Sequence, residues 1–304
     1  MTQRLFNGPF AAFGQTLLAA EDPRPVRPLL EVLRPESLDA LLLNIYGPEL
    51  MPAQRAVLVS QWSKYYFMQL IPPVVVASLV FDRHSSLALD QVSLVLDERG
   101  LPGGVKLGSC EGGSLSELLE ENLRPFIAAL SAYGAVPRSV LWGNAGDYLE
   151  SCLVKLSAFT DVSLEAGYGL LRDRTLGDGR RNPLFEAISY VGEPARRKRR
   201  TCCLSYQVEW VGRCEHCPVE GDPLWELPKA AKAVNRTDCF RSLRQLLQMV
   251  SHAGIATRLN TCSPCTLNCP SSSLPLCHSL DRSVSRRKRA CPSSVHSISC
   301  ASSK

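Results

Sequence analysis

Four cysteines, Cys202, Cys203, Cys214 and Cys217, fall in the stretch "RRKRRTCCLSYQVEWVGRCEHCP" with the spacing C-C-x10-C-x2-C. Three chemistries use thiols clustered in this way. Zinc takes four thiolates tetrahedrally, most often as two pairs with roughly two to four residues inside each. An iron–sulfur cluster takes thiolates around two or more irons. A redox relay exchanges free dithiols with disulfides. Cys214 and Cys217 suit all three. Cys202 and Cys203 discriminate, because adjacent side chains of an extended chain point to opposite faces. Gathering both on one small ion demands a sharp local turn. Two irons are a wider target that adjacent thiolates reach with less distortion. The spacing therefore leans from zinc toward [2Fe–2S], and it departs from the plant-type and bacterial ferredoxin patterns. Zinc and plain thiol chemistry stay open.

The basic run Arg196, Arg197, Lys198, Arg199 and Arg200 stops one residue short of Cys202. Positive charge beside a cluster stabilises its reduced form more than its oxidised form and so raises the potential. The same run would steer an anionic partner. The plainer reading is a solvated loop. His216, inside the second pair, is of the type that couples a proton to reduction, or it is an exposed neighbour.

The chain that must position these thiols has 304 residues, enough for one large domain or two modest ones. A hydrophobic fraction of 45% fits a globular protein. A net charge of +5 is mild and does not argue for a nucleic-acid partner. Asn7, Gly8, Pro9, Gly14 and Gln15 break the N-terminal apolar stretch, which does not read as a signal peptide. "LIPPVVVASLVF" is shorter than the roughly 20 residues a bilayer needs. The expectation is a protein of a reducing compartment, where 13 cysteines point to metal or redox chemistry before disulfides.

"PESLDALLLNIYG" carries a helical stripe at Leu38, Leu41, Leu42 and Ile45 and ends at Gly47. "PAQRAVLVSQWSKYYFMQLIPP" predicts a longer helix closed by Pro72 and Pro73, with Trp62, Tyr65 and Tyr66 as core. "VVVASLVF", "QVSLVLDERG" and "GGVKLG" then predict a small antiparallel meander over Val74 to Leu107. Ser114 and Glu117 suggest a capped helix start, Gly134 a stop, and Pro125 a kink. A further helix is expected from about Asn144 or Gly146. The fold class expected is α+β: a helix-rich body, a small antiparallel sheet and a C-terminal cysteine-ligated cluster segment. From Asn260 onward Ser, Cys and Pro dominate without a period, which reads as a disordered or out-of-frame extension. Cys262, Cys265 and Cys269 have ligand-like spacing but no partner pair at zinc-ribbon distance. Cys110 and Cys152 read as passive thiols. "GLPGG" and "GYGLLRDRTLGDG" lack the strand–helix context of a dinucleotide loop, so no flavin or nicotinamide site is expected.

"RRTCCLSYQVEWVGRCEHCP" resembles the C-terminal motif of the FhuF-type siderophore-iron reductases in its vicinal pair, both spacings, the Leu and Tyr that follow, and the terminal Cys-Pro. "ALDQVSLVLDERGLP", "WGNA" (Trp142 to Ala145) and "NPLF" (Asn182 to Phe185) resemble that family too, so the resemblance covers about residues 1 to 219. It implies a cytoplasmic protein whose [2Fe–2S] cluster, on Cys202, Cys203, Cys214 and Cys217, passes an electron to a ferric siderophore and releases Fe(II). With no flavin or nicotinamide fingerprint, the electron donor expected is a separate ferredoxin or flavin reductase, and a peripheral place at the inner membrane face is a further expectation. The division expected is a body over 1–195, a cluster segment over 196–219 and an anomalous extension over 220–304. The competing reading is a binding or sensing module in which zinc or a cluster is structural.

Overall fold

A computed structural model of the chain describes residues 5–108, 112, 114–208 and 211–219. Cys110, Cys262, Cys265, Cys269 and the extension over 220–304 lie outside the described residues. Short α1 (Ala11–Gly14) is followed by β1 (Arg27–Pro28), α2 (Leu29–Val32), α3 (Pro35–Tyr46) and the long α4 (Arg55–Phe81). Next come β2 (Val92–Leu96), β3 (Pro102–Leu107), a π-helical turn at Leu118–Leu123, α5 (Arg124–Gly134), α6 (Arg138–Leu156) and α7 (Glu165–Arg172). The hairpin β4 (Ile188–Val191) and β5 (Arg196–Arg199) precedes the cysteines. The chain is helix-rich α+β, as the sequence predicts, with β1, β2 and β3 forming one antiparallel sheet in chain order.

The core is built on α4, whose main partner is α6. Trp62, Tyr66, Phe67, Leu70 and Ile71 of α4 are wholly buried, and Tyr65 is nearly so. Phe126 of α5 stacks on Tyr66 with ring centroids 4.0 Å apart, an arrangement that adds specificity to apolar burial. Tyr66 Oη donates to Asn122 Oδ1 at 2.8 Å, and Asn122 Nδ2 donates to the Leu87 carbonyl at 2.9 Å. In α3 the expected stripe Leu38, Leu41 and Leu42 is buried, and Gly47 ends the helix with φ 83°.

Two expectations are corrected. The helix predicted to close at Pro72 and Pro73 runs through both, and the first predicted strand, Val74 to Phe81, is its last two turns. An apolar β-branched run that is buried all round has no period to distinguish strand from helix. Each proline removes one N–H donor from the helix, at a usual cost of ~3 kcal/mol. The Gln69 carbonyl, which Pro73 leaves without its i+4 donor, accepts instead from Thr16 Oγ1 at 2.8 Å. Helix α4 is thus long and apolar enough to cross a membrane by length alone, yet it is the core helix of this fold, with Ser60, Gln61, Ser63 and Gln69 buried on it. The strands at Val92–Leu96 and Pro102–Leu107 stand where the sequence puts them.

The second correction concerns α6, which starts at Arg138 and not near Asn144. Gly143 and Gly146 suggest a boundary in the sequence but serve close packing. A Cβ on Gly143 would lie 1.9 Å from Thr201 Oγ1, and one on Gly146 would lie 2.3 Å from the Ala187 Cβ. Gly143 lets the segment that carries the cysteines sit directly on α6, and Gly146 does the same for Ala187, just before β4. Pro125 follows directly on the π-helical turn Leu118–Leu123, in the first turn of α5, with helical backbone on both sides.

Candidate metal centre

The basic run before the cysteines is a strand, so its side chains alternate. Arg196 and Arg200 are exposed, while Arg197 is largely buried and Arg199 is 2% exposed. Arg197 forms ion pairs with Asp147 at 2.6 Å and Glu150 at 2.6 Å, both on α6. Tyr190 of β4 also donates to Glu150. Arg199 donates to Asn144 Oδ1 and, at 3.4 Å, to Asp147 Oδ2. The reading of all five residues as solvated or steering charge is therefore corrected. The inward pair is spent on acidic and amide partners, because a buried guanidinium must be paired.

The polar layer continues to the cysteines. Asn144 Nδ2 lies 3.0 Å from the Ser60 carbonyl, 3.1 Å from Ser60 Oγ and 3.1 Å from Ser63 Oγ. Ser60 Oγ and Gln61 Nε2 both donate to the Cys203 carbonyl, at 2.8 and 2.7 Å. Lys64 Nζ donates to Gln61 Oε1 at 3.0 Å. The Arg199 backbone N–H donates to the His216 carbonyl at 3.0 Å, which ties β5 to the second cysteine pair. Helices α4 and α6 thereby hold both cysteine pairs through one buried network. Sequence reasoning missed Ser60, Gln61, Ser63 and Arg199 as positioning residues. The available signal was the polar cluster Ser60, Gln61 and Ser63 inside an otherwise apolar helix. Asn144 lies within "WGNA" but had no role assigned.

Cys203 is wholly buried, and Cys202, Cys214 and Cys217 are half-buried; all four are free thiols. Leu204 adopts a left-handed φ of 64°, so the chain turns directly after the vicinal pair. Cys203 Sγ lies 3.6 Å from Cys214 Sγ, and Cys217 is near enough to Cys202 to help raise its thiol. Two sulfurs on one tetrahedral metal, each ~2.3 Å from it, sit about 3.8 Å apart. Among the described residues no group of three or more His, Cys, Asp or Glu side chains is gathered for a single ion. One thiol pair spaced to hold a metal, with Cys202 and Cys217 as further thiol donors on the same segment, suits a two-iron centre better than one zinc ion, so the residues present fit a [2Fe–2S] group.

The electrostatics favour a thiolate at Cys203 and oppose one at Cys202 and Cys214. The Cys203 thiol is held far below the ordinary thiol range, first by the hydrogen bond from Cys214, then by the positive charge of Lys64 and Arg199 and by Ser205. Cys214 keeps the proton the pair shares and is pushed up. Burial raises Cys202, against a hydrogen bond from the Leu204 N–H to its sulfur at 3.3 Å. Backbone and hydroxyl donors to sulfur are one of the means by which proteins set cluster potentials. His216 contributes its backbone carbonyl to this layer. Cys152 lies apart on α6, where burial pushes its thiol up to about 12, as suits a passive thiol.

Residues 60–197 match the family described as "Ferric iron reductase FhuF-like transporter", and residues 199–218 match the "FhuF 2Fe-2S C-terminal domain". Together the matches span more than half of the chain. A protein of Escherichia coli (strain K12) named ferric siderophore reductase is 23% identical over 218 residues, which is 66% of this chain and 82% of that protein. The second match takes in Cys202, Cys203, Cys214 and Cys217, and its boundary with the first falls within the basic run.

Proposed function

This chain belongs to the FhuF family of [2Fe–2S] ferric iron reductases, and we propose that it reduces the iron of a ferric siderophore through a cluster held by Cys202, Cys203, Cys214 and Cys217. The observation that supports the ligand assignment is the 3.6 Å approach of the Cys203 and Cys214 sulfurs, one from each cysteine pair. A centre bound there supplies one electron, taken from an external donor and delivered to Fe(III), which becomes Fe(II). Fe(III) is a hard ion gripped by hydroxamate or catecholate oxygens, and Fe(II) is held by them far less tightly.

The chain's own residues do the rest. Ser60 and Gln61 fix the Cys203 carbonyl, and Asn144 fixes Ser60. Arg199 places a buried positive charge whose field reaches Cys203 and Cys214, which favours the more negative, reduced state. The half-buried Cys202, Cys214 and Cys217 leave the centre reachable from the surface, while Cys203 is sealed. In this reading 1–195 is the reductase body, 196–219 the cluster segment, and 220–304 an extension that the reaction does not use. The donor is a separate ferredoxin or flavin reductase, and the setting is cytoplasmic.

The test is anaerobic purification with assay of iron, acid-labile sulfide and zinc. It is followed by mixing dithionite-reduced protein with ferric siderophores in the presence of an Fe(II) trap. Red-brown protein with matching iron and sulfide, and trapped Fe(II) formed one per electron, is expected. Colourless protein with full zinc and no sulfide would overturn the reading.

A further inference from the structure

Two clefts adjoin the cysteine segment and share two of their walls. One, of about 280 Å³, is lined by Trp142, Gly143, Arg181, Arg200 and Thr201, among others. The second, of about 500 Å³, is lined by Arg174, Phe185, Glu186 and the same Arg181 and Arg200. The first contains no carboxylate among its lining residues, and the second contains one, Glu186, against three guanidiniums. Arg174, Arg181 and Arg200 are exposed, and among the described residues none of them forms an ion pair with a carboxylate. They are placed nonetheless. Arg200 Nη1 donates to the Phe185 carbonyl, the Arg174 guanidinium lies 5.3 Å from the centre of the Phe185 ring, and Arg181 bridges to Thr175 through the backbone. Positioned like charges left without counterions suit an anionic ligand.

We propose that this joined cleft is where the ferric chelate docks, and that it selects negatively charged chelates; this rests on the reductase reading. Three features favour a small molecule over a protein partner. The space is concave and of the size that small ligands fill. Its walls combine guanidinium forks with the aromatic faces of Trp142 and Phe185, a lining suited to catecholate rings or carboxylates. Thr201, on the cleft wall, is bonded to Cys202, a half-buried ligand of the proposed centre, so a chelate seated there lies a few residue widths from the cluster. Thr201 is itself held by a hydrogen bond from Oγ1 to the Ser139 carbonyl at 3.1 Å. The cleft wall and the cluster segment are therefore one continuous piece of chain docked on α6.

The experiment uses gallium(III) complexes, which keep the shape and charge of the ferric ones and are not reduced. The full-length, cluster-loaded protein and its Arg174→Gln/Arg181→Gln variant are titrated with an anionic tris-catecholate and a neutral tris-hydroxamate complex. Arg200 is left intact because it adjoins Thr201 and ties the cysteine segment to the Phe185 carbonyl. The variant is expected to keep its visible spectrum and to bind the anionic complex about tenfold more weakly, with a change under about twofold for the neutral one. Added salt should shrink that difference. Equal affinities for the anionic complex in wild type and variant would overturn the proposal. So would a variant that is slowed only in accepting electrons from an acidic protein donor, since the clefts would then serve the donor. Retained gallium binding with no reduction of the ferric chelate would count against the reductase reading and in favour of the cleft.

Discussion

Replacing Asn144 by alanine removes a wholly buried carboxamide that reaches Ser60 and Ser63 on α4 and Arg199 on β5. The oxygens of Ser60 and Ser63 lose a shared donor, at about 1–2 kcal/mol. Arg199 loses its amide acceptor and keeps only the 3.4 Å contact to Asp147. Weakening a hydrogen bond to a buried charge costs about 1.5–3 kcal/mol. The expected sum is about 4 kcal/mol, or a fall in Tm of roughly 8–16 °C for a body of this size. The loss is also directional. Ser60 no longer has its hydroxyl held against the Cys203 carbonyl, so the cysteine segment should loosen before the core does. Thermal unfolding followed by far-ultraviolet circular dichroism and by visible absorbance should show bleaching of the cluster at a lower temperature than loss of helix. In wild type the two should nearly coincide. Asn144→Asp keeps an acceptor for Arg199 and should recover part of the deficit. A destabilisation below about 1 kcal/mol in Asn144→Ala, with coincident transitions, would refute the claim that this network anchors the site.

Single replacement of Cys202, Cys203, Cys214 or Cys217 by serine should abolish or sharply reduce iron and sulfide content, while Cys152→Ser should leave both unchanged. Cys152 also predicts an alkaline limb. Its folded thiol is raised from 9.0 to about 12, so the stability it contributes is full below pH 9 and is lost as pH rises toward 12. Urea titrations across that window should show a shallower decline in Cys152→Ala than in wild type. Thr16→Val leaves the Gln69 carbonyl without its donor beside Pro73 and should cost about 1–2 kcal/mol by urea denaturation, whereas an unchanged midpoint would assign that carbonyl another partner. Truncation after Glu220 should preserve cluster content and solubility, and a truncated protein that unfolds would show that the extension packs on the body.

The [2Fe–2S] centre was legible because spacing limits what four sulfurs can hold, and the vicinal pair leans away from a single ion. The strands at Val92–Leu96 and Pro102–Leu107 were legible because turn residues bound them and their β-branched runs are short. Val74–Phe81 was not, because a helix buried on every side erases the period that identifies it, and the donor that offsets Pro73 is Thr16, far away in sequence. Gly143 and Gly146 misled for a related reason. Their meaning lies in Thr201 and Ala187, which pack against them from a distant part of the chain. The fate of the basic run was hidden too. Nothing local distinguishes Arg199 from Arg200, and only the acids of α6 sort them.

That sorting has a consequence for how the hairpin finds its place. Asp147 and Glu150 accept whichever cations β5 turns inward, and every residue of the run is a cation. A slip of one position would present Lys198 and Arg200 to the same acids with the charge count intact. Coulomb attraction alone is therefore degenerate between the two alignments. Shape breaks the tie: only the native alignment turns two forked guanidiniums, Arg197 and Arg199, toward these partners, and only it brings the Arg199 N–H to His216 and Thr201 into the hollow of Gly143. Arg199→Lys would keep every charge and remove the fork. A mixture of two hairpin alignments, visible as doubled amide resonances for β4 and β5, is the outcome that this degeneracy foretells.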